Sequence, residues 1–458
     1  MDYNKTNKNL MEANMAKLTK EGILSHIAKP GEHYDVIVLG GGPAGIGAAL
    51  AAAMCGAKTC ILEEKAFFGG VAAVSGWMPM NRVLLDGGMR GGVFTPFVEK
   101  LRAYGAGATR QGKTSWVDGD GLHIHPDYLR YGMIELFEEM GVAYRLHSAG
   151  TSAIMDGNRI IGVVCDGKYG RSEFHGDVVI DASGDGDVAA SAGATVMMGR
   201  EGDGAFMPVT LGFVISNVDY DRFYEYLGPE AVSPKFMELM RRKEKEGYAV
   251  SGFYAFDKTT VPGVVSVNNS GQNDLGVINA LDLDDLNVAE RAGLQVAMDF
   301  IKIVHEEKIP GLENCELVRT GQALGVRETR RILGDYLYDL SDAQQGRTFP
   351  DAVLRRYGTV DTGGLNEDKN YHGTVRNGHE FPYRALLPKG VEGMLIAGRC
   401  ASQTHLGATT CKSMGNMMAM GQAAGVAAAL ASAEGVTPRA LDVKKIQAKL
   451  HEMGAEKF

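Results

Sequence analysis

The sequence predicts an α/β fold: a three-layer ββα domain accompanied by a second, mixed α+β domain. Three observations predict it. Val36 to Leu39 is a run of apolar β-formers that ends in three consecutive glycines, Gly40 to Gly42, and opens an alanine-rich stretch. A second apolar strand follows and ends at Glu63. Far along the chain, "DVVIDAS" and "GMLIAG" are two more strands that run into glycines. Strand, glycine turn, helix and strand make a βαβ unit.

The bulk composition sets the class. The 458-residue chain is 45% hydrophobic and 22% charged, the balance of a globular protein with ample core, and its length suits two or three domains. A formal charge of -9 argues against a nucleic-acid binder, which carries a basic stripe. The 61 glycines are well above the usual ~7% and are spread through apolar sequence, so they read as tight turns and close backbone approaches. Cys55, Cys60, Cys165, Cys315, Cys400 and Cys411 include no C-x-x-C pair. Buried thiols are therefore expected in place of a redox dithiol, a zinc site or an iron–sulfur cluster. The polar N-terminal stretch lacks an apolar signal region, and no uninterrupted apolar run reaches ~18 residues. A cytoplasmic protein without a membrane span is expected.

The elements follow in order. Residues 1–32 are an extension before the first strand. Strand 35–39, turn 40–42, helix 43–55 and strand 58–62 form the βαβ unit. In "HPDYLRYGMIELFEEMG", Leu129, Met133, Leu136 and Met140 recur at steps of four, three and four, an amphipathic helix. It leads into strand "VAYRL" and the hairpin "TSAIMDGNRIIGVVCD", turned at Asp156-Gly157. "DVVIDAS" then enters "GDGD". Residues 205–310 are mixed and aromatic-rich, with a helix near 288–306. Strand 393–398, a long polar loop and a glycine- and alanine-rich helix from about 415 to 432 come last, before a C-terminal helix within 436–458.

Gly40-x-Gly42-x-x-Gly45 follows a strand and opens a helix, the setting of a Rossmann-like dinucleotide fingerprint. Gly40 permits the turn, Gly42 lets a pyrophosphate approach the backbone, and Gly45 allows close helix–sheet packing. Pro43 and Ala44 start the helix whose free N–H groups face the phosphates. Glu63, at the end of the second strand, is placed to accept hydrogen bonds from a ribose, with Glu64 beside it. This much leaves NAD and FAD both open. Three features favour FAD: the doublet Gly69-Gly70, followed by Val71; the second strand-to-glycine turn in "VVIDASGDGDVAASAGA"; and the helix starting near Gly415, whose positive end stabilises a reduced flavin ring.

The segments "DVIVLGGGPAGIGAALAAAMCGAKTCILEE", "VVIDASGDGDVAASAGA", "GVRETRRILGDY" and "GMLIAGRCASQTHLGATTCKSMGNMMAMGQAAGVAAALA" resemble, in the same order, the FAD-dependent oxidoreductases with a glutathione-reductase-2 type flavin fold, distantly related to fumarate reductase flavoproteins. The resemblance implies that Gly40, Gly42, Gly45 and Glu63 contact the ADP half of FAD. It implies that Asp181, Gly184 and Asp185 line the cofactor, and that Gly398, Gly415, Asn416 and Met417 approach the ribityl chain and ring. Arg399 departs from the pattern, because many relatives carry an acid there. No histidine has a covalent-flavin context, so noncovalent FAD is expected.

Catalytic candidates are drawn from polar residues near the expected ring: His405 as acid/base or hydrogen-bonder, Arg327 as a carboxylate grip, and Lys412, Tyr383 and Arg384. Each has a plain structural alternative, such as ion pairs of Arg327, Arg330 or Arg331 with Glu328 or Asp335. His123 and His125 in "HIHP" lack a partnered cluster, so no metal is expected. There is no second strand–GxGxxG–acid unit for a pyridine nucleotide, so electrons are expected to pass through a substrate cleft. The expected function is hydride transfer between flavin N5 and a small organic substrate, by a dehydrogenase or reductase rather than an oxidase. An ene-reductase like the fumarate reductases, or an electron-transfer subunit, is the alternative. Residues 33–95, 120–200 and 385–435 are assigned to the FAD domain and 201–384 to the substrate domain. A homo-oligomer and an external electron donor or acceptor stay open.

Overall fold

The computed structural model describes residues 19–85, 88–112, 121–230, 232–272, 275–358, 360–361, 378–410, 412–456 and 458. Most of the N-terminal extension and Cys411 lie outside the described residues. The elements that position the site are β1 (His33–Leu39), α1 (Pro43–Met54), β2 (Thr59–Leu62), α2 (Pro126–Glu139) and β3 (Ala143–Arg145). The hairpin strands β4 (Ala149–Asp156) and β5 (Arg159–Gly167) follow, then β6 (Gly170–Asp181). Next come β7 (Phe213–Ser216), β8 (Tyr254–Lys258), β9 (Val265–Asn269), α3 (Leu283–Glu306) and β10 (Glu316–Thr320). The last two are β11 (Met394–Ile396) and α4 (Met414–Glu434).

A seven-stranded sheet runs in the order β3-β2-β1-β6-β5-β4. The seventh strand, β11, shares an edge of β6 with β5: Gly170 to His175 pair antiparallel with β5, and Val179 to Asp181 pair parallel with β11. β1 is parallel to both β2 and β6. Its register sets Leu39 opposite Leu62 and Asp181, and Asp181 opposite Ile396. Four carboxyl strand ends are therefore level, and the residues after them share one rim, where α/β sheets bind ligands.

Both sheet faces are covered, which explains the continuous apolar run in β1. On one face Val36, Val38 and Ile180 pack with α1 and α4. On the other, Ile37, Leu39 and Val179 pack with the hairpin residues Val163 and Cys165. The contact between α1 and α4 is backbone on backbone. A Cβ on Gly421 would fall 1.8 Å from the Ala44 carbonyl oxygen, and one on Gly425 2.2 Å from that of Ala48. Glycine and alanine at these positions bring the starts of both helices to the same rim.

The second sheet, β8-β9-β7-β10, is antiparallel. It forms a separate core with α3 through Phe213, Phe223, Phe236, Tyr254, Phe256 and Phe300. α3 begins five residues before the expected helix because Asp282 caps the N–H groups of Asp284 and Asp285. The expected polar loop before α4 contains a short helix, His405–Thr409, capped by Thr404. The core does not change at residue 384: Tyr338, Leu354, Phe381 and Leu386 pack in the same cluster as α1 and α4. Among the described cysteines, Cys60, Cys165, Cys315 and Cys400 are buried and Cys55 is half-buried.

Candidate active site

The level strand ends open on a cleft of about 1510 Å³. Its outer end is the turn after β1. Gly40 has φ +87°, and a Cβ there would meet the Ala182 carbonyl oxygen at 2.6 Å. Gly42 has φ −74° and is the N-cap of α1 with no side-chain capping bond. The nearest atom to a Cβ on Gly42 would be 3.9 Å away, so this glycine leaves open space beside the uncapped helix start. The first-turn N–H groups are available to an anion. Gly40, Gly42, Pro43 and Ala44 line the cleft. Gly45 does not line it: a Cβ there would sit 1.7 Å from the Gly40 carbonyl oxygen, so it is a packing contact.

Glu63 lines the cleft at the end of β2. Its Oε2 accepts from Gly41 N at 2.5 Å and its Oε1 from Lys65 N at 2.8 Å. Burial pushes its carboxyl above the usual range, opposed by these two N–H groups. The two bonds fix the carboxylate and leave lone pairs for hydroxyl donors. Glu64 also lines the cleft and is exposed, paired with Lys65. Gly70 and Val71 line it, whereas Gly69 is buried beneath.

The middle of the cleft is the turn after β6. Asp181 is buried and outside the lining. It accepts from Ser183 N at 3.1 Å, Ser183 Oγ at 2.7 Å and Ala189 N at 2.9 Å, which folds the turn. Burial raises its carboxyl. Gly184 and Asp185 do line the cleft, with Gly398 and Arg399. Arg399 Nη2 pairs with Asp185 Oδ1 at 2.8 Å, and Thr329 Oγ1 donates to the same oxygen at 2.7 Å. Burial acts to raise the Asp185 carboxyl, but Arg399 and Thr329 outweigh it and hold it below the usual range. Arg399, where many relatives carry an acid, thus pairs with an acid 214 positions away.

The inner end is the start of α4. Its N-cap, Ser413, makes no capping bond, and Ser413 Oγ has no partner among the described residues. Met414 and Met417 line the cleft beside it. Gly415 and Asn416 do not. A Cβ on Gly415 would lie 2.1 Å from the Arg82 carbonyl oxygen. Asn416 is buried, donating to Tyr357 O at 2.7 Å and accepting from Arg90 Nη1 at 2.9 Å. Both fix α4 against its neighbours.

Of the five catalytic candidates, the structure brings two to the cleft, Arg327 and Lys412. His405 is wholly buried against Glu328 at 2.9 Å and is not in the lining. Arg384 forms a two-pronged pair with Asp351, at 2.9 and 3.1 Å. Tyr383 is buried, donating to Pro438 O at 2.9 Å. Neither lines the cleft. The arginines of "GVRETRR" separate: Arg330 pairs with Asp187 at 2.6 Å, and Arg331 is buried against Glu328, pushed down to about 10 by burial. His125 caps α2 by accepting from Asp127 N at 3.2 Å. No spacing signal in the sequence marks Arg90, Thr329 or Ser413.

A family model for FAD dependent oxidoreductases matches residues 35–450. The chain belongs to that family. FAD fits the cleft on its own features: two uncapped helix starts and the open space at Gly42. The buried oxygens Ser75 Oγ, Asn81 Oδ1, Asn268 Oδ1 and Ser413 Oγ also line it, without partners among the described residues. Among curated proteins, digeranylgeranylglycerophospholipid reductase 2 of Methanopyrus kandleri is 29% identical over 162 residues, 33% of this chain and 37% of the relative. A 3-oxosteroid 1-dehydrogenase of Mycolicibacterium smegmatis is 43% identical over 63 residues, 13% of this chain and 11% of the relative. This FAD dependent oxidoreductase thus aligns with 37% of the length of the first and 11% of the length of the second. Among solved structures, a geranylgeranyl bacteriochlorophyll reductase-like protein of Thermoplasma acidophilum is 15% identical, with a TM-score of 0.49, over 92% of this chain and 83% of its own. Among the described residues, no helix is long and apolar enough to cross a membrane.

Proposed function

We propose that this chain transfers a hydride between FAD and a small organic substrate held at the inner end of the same cleft. The observation that carries the reading is continuity: one cavity runs from Glu63 at the outer end to Arg327 and Lys412 at the inner end. FAD, when bound, supplies hydride chemistry at its N5 atom. The start of α1 and Gly42 hold the phosphates, and Glu63 holds a ribose. Asp185 and Arg399 hold the ribityl chain, and the start of α4 faces the ring. Thr210 and, from the second sheet, Asn268 line the same cleft.

The test is anaerobic photoreduction of the FAD-loaded protein, followed by mixing with air, a quinone or an enoate. A dehydrogenase or reductase is reoxidised faster by an organic acceptor than by air. Protein that stays colourless after FAD reconstitution contradicts the reading, and reoxidation by air alone makes the protein an oxidase.

A further inference from the structure

Arg327 and Lys412 both line the cleft, with Asp361 beside them. Arg327 has five N–H donors. Nη1 donates to Pro208 O at 2.8 Å and to Thr210 Oγ1, and Nη2 donates to Asn269 O at 3.3 Å. All three acceptors are neutral. Nε–H and the second Nη2–H have no acceptor among the described residues. Those two donors form the side-on fork of a guanidinium, whose spacing matches the two oxygens of a carboxylate.

Lys412 lines the same cleft, its Nζ 3.0 Å from Asp361 Oδ2 and 3.5 Å from Met207 Sδ. Burial pushes Lys412 down and the Arg327 charge adds to this, while Asp361 opposes both. Among the described residues, Asp361 is the carboxylate that acts on both cations. A cation withdrawn from water without its own counter-ion is costly, and an anionic ligand removes that cost. Ser413 Oγ and the positive end of α4 lie on the same lining.

We propose that this end of the cleft is a carboxylate subsite, with Arg327 gripping the acid side-on and Lys412 supplying a second charge, so that the substrate class is a small organic carboxylate. The assignment rests on the hydride-transfer reading above. The pre-formed bonds of Arg327 fix the plane of the fork, so little side-chain freedom is lost on binding.

The experiment titrates FAD-loaded protein with acetate, succinate and benzoate, and with acetamide, succinamide and benzamide. Binding is followed by calorimetry and by the visible absorption of the flavin. At least one acid is expected to bind saturably and about tenfold or more tighter than its amide. Arg327→Gln is expected to lose that preference while retaining FAD, and Arg222→Gln, at an exposed pair with Glu313, to keep it. Should Arg327→Gln fail to fold, Arg327→Lys keeps the charge without the fork and is expected to weaken acid binding while amide binding holds. Equal binding of acids and amides, no saturable acid binding by FAD-loaded protein, or an unchanged preference in both Arg327 variants overturns the subsite. Protein that takes up no FAD overturns the underlying reading, and calorimetry on that protein still reads the acid–amide preference.

Discussion

His405 Nδ1 lies 2.9 Å from Glu328 Oε2, and both side chains are wholly buried. The same carboxylate takes hydrogen bonds from Arg331 and, at 3.1 Å, from Met207 N. One acid therefore ties the loop before α4 to strand Arg330–Ile332 and to residue 207. Glu328→Gln leaves Arg331 buried without its counter-ion and is expected to cost about 3–5 kcal/mol, measured by urea unfolding. His405→Asn is expected to cost about 1–3 kcal/mol and to leave the pH profile of flavin reduction unchanged. A displaced pH profile at unchanged stability would place His405 in the chemistry instead.

Arg90 is buried and meets Glu456 at 2.7 Å through Nε and 2.5 Å through Nη2. The same guanidinium donates to Asn416 and Arg82 O and stacks on Tyr357, its carbon 5.2 Å from the ring centre. The chain's last residues thereby brace two cleft-lining segments and the start of α4. Glu456→Ala is expected to destabilise by about 3 kcal/mol and to weaken FAD binding, with part of both restored in Glu456→Asp. FAD affinity equal to wild type in Glu456→Ala contradicts the bracing role.

His379 gives the pH dependence a sign. Burial first, then the charge of Arg356, pushes its imidazole down to about 3, against an ordinary value of about 6.5. Between those values the unfolded chain holds a proton that the folded chain does not. Its stabilising contribution is therefore complete above about pH 6.5 and is lost as the pH falls toward about 3. Urea midpoints compared at about pH 7 and about pH 5 are expected to differ less in His379→Gln than in wild type. An identical difference in the two proteins removes His379 as a source of the acid sensitivity.

Local turns were legible in the sequence and long-range partners were not. Gly40, Gly42 and Glu63 could be placed because a glycine turn after a strand fixes its own geometry within a few residues. The paired role of Asp185 and Arg399 could not, since the two meet only through the register of β6 and β11. "FPYRALLP" shows why polar residues near a site mislead. Its Arg384 turns to Asp351, 33 residues earlier, and its Tyr383 to Pro438, 55 residues later. The expected boundary at 384 is not marked by a change of core, because Leu354 and Phe381 pack in the α1–α4 cluster. Nothing in a linear pattern reports which core an apolar strand joins.

The proposed function places the FAD phosphates in the cleft beside Gly42 and the start of α1. The direct measurement is an FAD titration of Gly42→Ala against wild type, with the unfolding free energy of both FAD-free proteins as control. A Cβ at Gly42 meets no protein atom closer than 3.9 Å, and its φ of −74° suits alanine. Stability without FAD is therefore expected to change by no more than about 0.5 kcal/mol. FAD affinity is expected to fall about tenfold or more. Unchanged affinity in a folded Gly42→Ala protein would contradict the placement of the cofactor.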